Sequence, residues 1–148
     1  MNKKWVTRFK GLADHFATWS EDTSTKVGCV LVDIDNHAVI SPGFNGLPRG
    51  INKGDTLNDE GIVDKYLWYE HAERNAIYNA AQLGVSTRDS VAFVTHMPCC
   101  DCMRALAQSG ITKIYFNKDN KMGTDKWVEN FKVSKKMARK LNIPVMEI

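Results

Sequence analysis

Two short blocks, His71-Ala72-Glu73 and Pro98-Cys99-Cys100-Asp101-Cys102, restrict the folds open to this chain more than any other feature. They offer three soft or borderline metal ligands, His71, Cys99 and Cys102, and one carboxylate, Glu73. A site built from them exists only in a fold that brings both blocks to one place. Three ligands differ in kind from four. A structural zinc is closed by four protein groups, whereas a catalytic zinc keeps a position open for water, which it activates for attack on an electrophilic carbon. Glu73 stands where it could move that water's proton. Taken singly the blocks are ambiguous: C-x-x-C is also a redox pair or half of a structural zinc site, and H-x-E is common by chance. In this order, with Pro98 directly before Cys99, a catalytic zinc is the better reading. A fourth protein ligand would have to be His96 or Cys100. Side chains adjacent at a helix start diverge, which makes Cys100 a poor partner for Cys99. His96 reads as a loop or strand-end residue. His15, in a helical pattern, and His37, in a turn, read as surface residues.

At 148 residues the chain is long enough for one domain with a real core. Its net charge of +3 is too mild to point to nucleic acid, although a few basic residues suffice for a phosphorylated small molecule. No segment approaches the ~18 apolar residues of a membrane span, and the N-terminus lacks the apolar core of a signal peptide. Cys99, Cys100 and Cys102 crowd together and Cys29 sits in an apolar run, which makes no disulfide framework and suits a reducing cytoplasm.

Hydrophobic spacing predicts the elements. Trp5, Phe9, Leu12, Phe16 and Trp19 form one face of a first helix. Strands are expected at residues 27–32 and 38–44, joined by a hairpin-like turn. Residues 46–67, rich in glycine, read as a long loop with little regular structure, of the kind that covers a site. A helix is expected at residues 70–83 with Gly84 as its stop, a buried strand at 91–95, a helix at 99–109 with Gly110 after it, and a strand at 111–116. A basic last helix, 126–140, puts Trp127, Phe131, Ser134, Ala138 and Leu141 on one face, and residues 144–148 form a final strand with Pro144 at its start. The order αββαβαβαβ argues for a three-layer α/β/α sandwich around a mixed five-stranded sheet. Both ligand blocks then fall at helix starts, where the partial positive charge favours thiolate over thiol.

The same residues carry a resemblance. The H-x-E…P-C-x-x-C arrangement is the signature of zinc deaminases that act on nucleobases. His71-Ala72-Glu73-Arg74-Asn75-Ala76-Ile77 resembles the HAExNAI motif of deoxycytidylate (dCMP) deaminases. The stretch from Asp22 through Ser24, Thr25 and Lys26 to Val30 is similar to their D-x-S-T-x-V-G-x-V. Gly43-Phe44-Asn45-Gly46-Leu47-Pro48-Arg49-Gly50 is similar to their G-Y-N-G-x-P-x-G, with Phe44 for the usual Tyr, and Lys65-Tyr66 ahead of Tyr69 and His71 is similar too. The likeness runs over residues 22–116.

The resemblance implies a cytidine deaminase-like fold and hydrolytic deamination of dCMP to dUMP, which would feed thymidylate synthesis. His71, Cys99 and Cys102 would bind zinc. Glu73 would take a proton from water and pass it to N3 and then to the leaving amine. Asn45 would bond the sugar side, the Ala72 backbone would hold the pyrimidine O2, and Ser24 and Lys26 would help hold the 5′-phosphate, with Arg49 and Arg74 as further candidates. Gly43, Phe44, Asn45 and Gly46 would form an effector region where dCTP with Mg2+ activates and dTTP inhibits, in a homohexamer. Phe44 lacks the hydroxyl of the family's Tyr. Read from the residues alone, Asn45 is also an ordinary turn residue. The alternatives are a tRNA adenosine or free cytidine deaminase, or a zinc-stabilised binding module that would not need Glu73.

Overall fold

The amphipathic stripe at the N-terminus forms a helix because a short amide starts it and an apolar face anchors it. The structure, a computed structural model, describes residues 1–117 and 125–148. Helix α1 (Lys3–Ala17) begins at Asn2, whose side-chain oxygen accepts the Trp5 N–H, and it buries Phe9, Ala13 and Ala17. Strands β1 (Gly28–Val32) and β2 (Val39–Phe44) follow. In the turn between them the Asp33 carboxylate accepts the N–H groups of Asp35 and Asn36. A 3-10 turn (Lys53–Thr56) and the one-turn helix α2 (Lys65–Trp68) lead to helix α3 (Ala72–Leu83). Then come β3 (Val91–Val94), α4 (Cys100–Gln108), β4 (Lys113–Phe116), α5 (Asp125–Lys140) and β5 (Val145–Glu147).

The strands make one sheet in the order β2-β1-β3-β4-β5. β1 runs antiparallel to both β2 and β3, while β3, β4 and β5 are parallel. The sheet is mixed and five-stranded, as expected. Side chains alternate across β1. Val30 and Val32 join Phe9, Ala13, Phe93 and Tyr115 beneath α1. Cys29 and Leu31 join Ala72, Ala76, Met103, Leu106 and Ala138 beneath α3, α4 and α5. Both faces are covered, so every residue of β1 and β3 is buried, and the three layers are α1, the sheet, and the trio of later helices.

Several boundaries differ from the sequence expectation. Trp19 lies outside α1, 53% exposed, because the Thr18 N–H and hydroxyl both turn back to the His15 carbonyl and close the helix. Leu141 likewise falls past α5 and is 52% exposed. The long loop ends in α2, which forms because the Asp64 carboxylate accepts the Tyr66 N–H. Helix α3 starts at Ala72 rather than residue 70, which makes His71 its N-cap, and it stops at Gly84 in the left-handed region, φ 69°.

The joint between β2 and α3 positions everything that follows. Ala72, Ala76 and Ala80 form a fully buried small-residue stripe. Gly43 faces it so closely that a Cβ there would lie 2.3 Å from the Ala72 carbonyl oxygen and 2.4 Å from the Ala76 nitrogen. Polar side chains zip the two elements together. Asn75 Nδ2 donates to the Phe44 carbonyl at 2.8 Å, Asn79 Nδ2 to the Pro42 carbonyl at 2.7 Å, and Ser41 Oγ to the Ala76 carbonyl at 2.8 Å. Gly43→Ala is therefore expected to destabilise the protein by about 1–3 kcal/mol or more, the range for overpacking against unyielding backbone. Gly11→Ala, on α1 with nothing within 4 Å of the added carbon, should stabilise by roughly 0.5–1 kcal/mol. Denaturant unfolding of both variants checks the opposite signs.

Candidate active site

Two helix starts meet at one point. His71 caps α3, and Cys99 caps α4, where its sulfur accepts the Cys102 N–H at 3.5 Å. The spacing of C-x-x-C does this locally, because an N-cap and the third helical residue lie on the same side of a helix start. His71 Nδ1 sits 3.6 Å from Cys99 Sγ and 3.4 Å from Cys102 Sγ. Among the described residues these three are the group of side chains placed to hold a metal ion, with all ligand atoms within 4.8 Å of one another. Two sulfurs and one imidazole nitrogen are a zinc-type donor set, and among the described residues no fourth ligand joins them. Cys100 turns away, its backbone N–H and thiol both bonded to Asn130. His96 lines the cleft but has Nδ1 against the Thr95 hydroxyl at 3.0 Å.

The charge state of the cluster follows from this crowding. Cys99 is lowered to about 4 by the Cys102 thiol that donates to it, with His71 helping, against the effect of burial. Cys102, which keeps the shared proton and is itself buried, is pushed well up. The pair holds one negative charge of its own, and cation binding would release the second proton. Arg74 adds a positive charge, its guanidinium 3.6 Å from Cys102 Sγ.

Glu73 is 3% exposed, and burial raises its carboxyl above the ordinary value. It lies in a cleft with His71, Ala72, Cys99, Asn45, Met97 and Trp127. A carboxyl group moved toward neutral pH suits proton exchange in both directions. The His71 side chain makes no cap bond at the start of α3, and Ala72, the first residue of that helix, lines the same cleft.

The mouth is organised by Asp22, which sequence reading passed over as a site residue. Its carboxylate accepts the Ser24 N–H and hydroxyl and the Thr25 N–H, and pairs with Lys65 at 3.0 Å. Lys65 also reaches the Ser24 hydroxyl. This pairing pins α2 across the entrance. Asn45 lines the cleft, yet its amide is already committed: Oδ1 accepts the Val27 N–H at 2.7 Å, and Nδ2 donates to the Thr25 carbonyl at 2.9 Å. Ser24 and Lys26 are exposed and lie outside the cleft lining, with Ser24 at its rim through Lys65. Arg74 is taken by Glu70 and Cys102, and Arg49 by Asn79. Gly43 is buried in the joint with α3. Phe44, Gly46 and Arg49 instead line a second cleft with Glu70, Asn75 and Tyr78. Glu70 links the two clefts, because its backbone pairs with Gly46 and its carboxylate accepts the His71 N–H at 3.0 Å. The sequence signal for Asp22 and Lys65 lay in their motif positions. Their partnership, between residues far apart in the chain, had none.

Comparison with known proteins agrees with this geometry. Residues 3–118 match the family described as cytidine and deoxycytidylate deaminase zinc-binding region. The protein named "Uncharacterized deaminase in luxG 3'region" from Aliivibrio fischeri is 34% identical, covering 98% of this chain and 94% of that one. A probable deoxycytidylate deaminase of Caenorhabditis elegans is 35% identical over 95% of this chain and 68% of its own length. The crystal structure of dCMP deaminase from the cyanophage S-TIM5 in complex with dCMP and dUMP superposes with a TM-score of 0.81 at 25% identity, covering 100% of this chain and 99% of that chain.

Burial works against the charged form of Asp22, but the Ser24 and Thr25 N–H groups and Lys65 more than offset it and hold its pKa below 3.8. A carboxylate depressed in the folded state stabilises fully above the unfolded value and loses that contribution as pH falls through the folded one. Asp22→Asn should cost about 1–3 kcal/mol at pH 7, the range for leaving a buried bonded group without its partner. The deficit should shrink below pH 4. Urea unfolding across that range reads both, and a pH-independent difference would remove the ion pair as its cause.

Proposed function

The chain belongs to the cytidine and deoxycytidylate deaminase zinc-binding family, and from that premise we propose that it acts as one catalytic domain that hydrolyses dCMP to dUMP and ammonia in a reducing cytoplasm. One observation carries the reading: three zinc-type ligands converge beside a buried carboxyl group in one cleft. Among the described residues no helix is long and apolar enough to cross a membrane, and none of the four cysteines is in a disulfide.

His71, Cys99 and Cys102 would hold a zinc ion. Zinc, when bound, supplies Lewis-acid activation of a water in the cleft. Glu73 accepts the proton that the attacking water gives up and delivers it to N3 of the cytosine ring as C4 becomes tetrahedral. The same carboxyl then moves the second proton to the amine, which leaves as ammonia while the C4 carbonyl forms. Burial of Glu73 is what makes one group serve in both directions. The Ala72 N–H, at the uncapped start of α3, takes the ring O2. Asn45 faces the sugar with the acceptor capacity its oxygen has left. Ser24 and Lys26, joined by Lys65 at the rim, serve the 5′-phosphate.

The second cleft is the place for regulation in this reading. Phe44 offers a ring and Arg49 a charge there, which supports a nucleoside triphosphate with Mg2+ as ligand, dCTP activating and dTTP inhibiting. Gly43 and Asn45 contribute as the frame of that loop. Apolar side chains left exposed, Leu67 at 81% and Leu83 at 72%, support assembly with further copies, a hexamer in this reading. The product dUMP would supply thymidylate synthesis.

Zinc-replete protein should turn over dCMP far faster than deoxycytidine, faster still with dCTP-Mg2+ and slower with dTTP. Activity on both substrates alike would remove the phosphate from recognition, and none on either would reject the reaction. Glu73→Gln should keep its zinc and lose at least 100-fold in kcat, the scale of general acid–base catalysis. Metal analysis beside steady-state kinetics separates the two effects.

A further inference from the structure

Helix α5 touches the candidate metal centre in a way the reaction itself does not use. Two of the three ligands sit on the segment 98–102, and this segment is held from α5. Ser134, fully buried, donates its hydroxyl to the Pro98 carbonyl at 2.8 Å. The Cys100 N–H donates to Asn130 Oδ1 at 2.8 Å, and the Cys100 thiol donates to the Asn130 carbonyl at 3.1 Å. Asn130 and Ser134 lie one helical turn apart, so one stripe of α5 makes all three bonds.

The bonds bracket a single residue. The Pro98 carbonyl belongs to the peptide group before Cys99, and the Cys100 N–H to the peptide group after it. With both groups tethered, neither backbone torsion of Cys99 is free, and its extended N-cap conformation, φ −70° and ψ 173°, is fixed from outside α4. The Cys99 carbonyl is held as well, accepting the Met103 N–H at 2.8 Å. Pro98 strengthens the arrangement, since its ring removes a donor and locks its own φ. The Cys99 sulfur is thereby set against His71 before any ion arrives.

We propose that Asn130 and Ser134 are positioning residues for the metal centre, which preorganise Cys99 and so set how tightly the ion is kept. The inference rests on the zinc reading above. Outer partners of metal ligands typically govern affinity by about 10–100-fold, although here they act through the backbone rather than on the ligand atom. The bonds also tie the site to a helix that begins 25 residues after Cys100 in sequence, so local opening of α5 loosens the Cys99 arm.

The test is zinc affinity by competition with a chromophoric chelator, with Co2+ substituted in parallel to report thiolate charge-transfer and d–d bands. Asn130→Ala and Ser134→Ala should each bind zinc about 10–100-fold more weakly and shift or broaden the Co2+ bands. Asn130→Asp keeps an acceptor for the Cys100 N–H and should retain most of the affinity, even if the alanine variant folds poorly. Val133→Ala, on the same helix but outside this contact, should leave affinity and spectrum unchanged. Wild-type affinity and spectrum in both alanine variants would overturn the proposal, as would a Val133→Ala loss as large as theirs. Wild-type protein that binds neither zinc nor Co2+ would reject the zinc reading itself, a result distinct from either.

Discussion

The contact on which the site depends is the approach of α3 to β2 at Gly43. A helix with side chains of ordinary size stands off from a sheet. Here an alanine stripe faces a residue with no side chain, and the helix backbone comes within reach of the strand's carbonyls. That approach carries His71 and Glu73 down to the level of the cleft floor. Without it His71 would stand away from Cys99 and Cys102, and Glu73 would lose the burial that raises its carboxyl above the ordinary value. Close packing of this kind leaves no slack, which suits a centre whose ligand atoms must agree within tenths of an ångström.

Around that joint the site is framed by residues that do no chemistry. Asp22 gathers the segment ahead of β1 and fastens α2 over the entrance. Glu70 couples the Gly46 loop to the N–H of His71. Asn130 and Ser134 brace the peptide groups around Cys99. The reactive set is small, and most of the polar investment near it holds backbone in place, as preorganised catalysis requires. Two residues of the second cleft reach His71 directly: the Glu70 carboxylate accepts its N–H, and the backbone N–H of Asn75, whose side chain also bonds the Phe44 carbonyl, donates to its carbonyl.

Motif residues divide into two kinds once their neighbours are known. His71, Glu73, Cys99 and Cys102 converge at the cleft and are the residues to which the proposed reaction assigns chemistry. Gly43, Asn75 and, through its committed amide, much of Asn45 serve the architecture. In the sequence the two kinds look alike, because a motif gives residue type and spacing but not the neighbours that decide what each residue does. Expecting a glycine-asparagine loop to be a ligand surface throughout overlooked that its buried half is a packing joint.

By itself the sequence determined the mixed five-stranded sheet and the order of its strands and main helices along the chain, without the 3-10 turn and α2 inside the long loop, and it named the three side chains that meet as a candidate metal centre. Hydrophobic period separates helix from strand, and the ligand chemistry is written in side chains whose spacing is local to each helix start. Helix ends were legible only to within a residue or two, since Thr18 closing on His15 and His71 serving as a cap are hydrogen-bond choices that periodicity does not encode. Tertiary structure alone decided that Asp22 pairs with Lys65, that Arg74 turns to the Cys102 sulfur rather than to the cleft mouth, and that α5 holds the peptide groups around Cys99. Each of these joins segments distant in the chain, and the energy of such a contact depends on a distance that does not exist until the chain has folded.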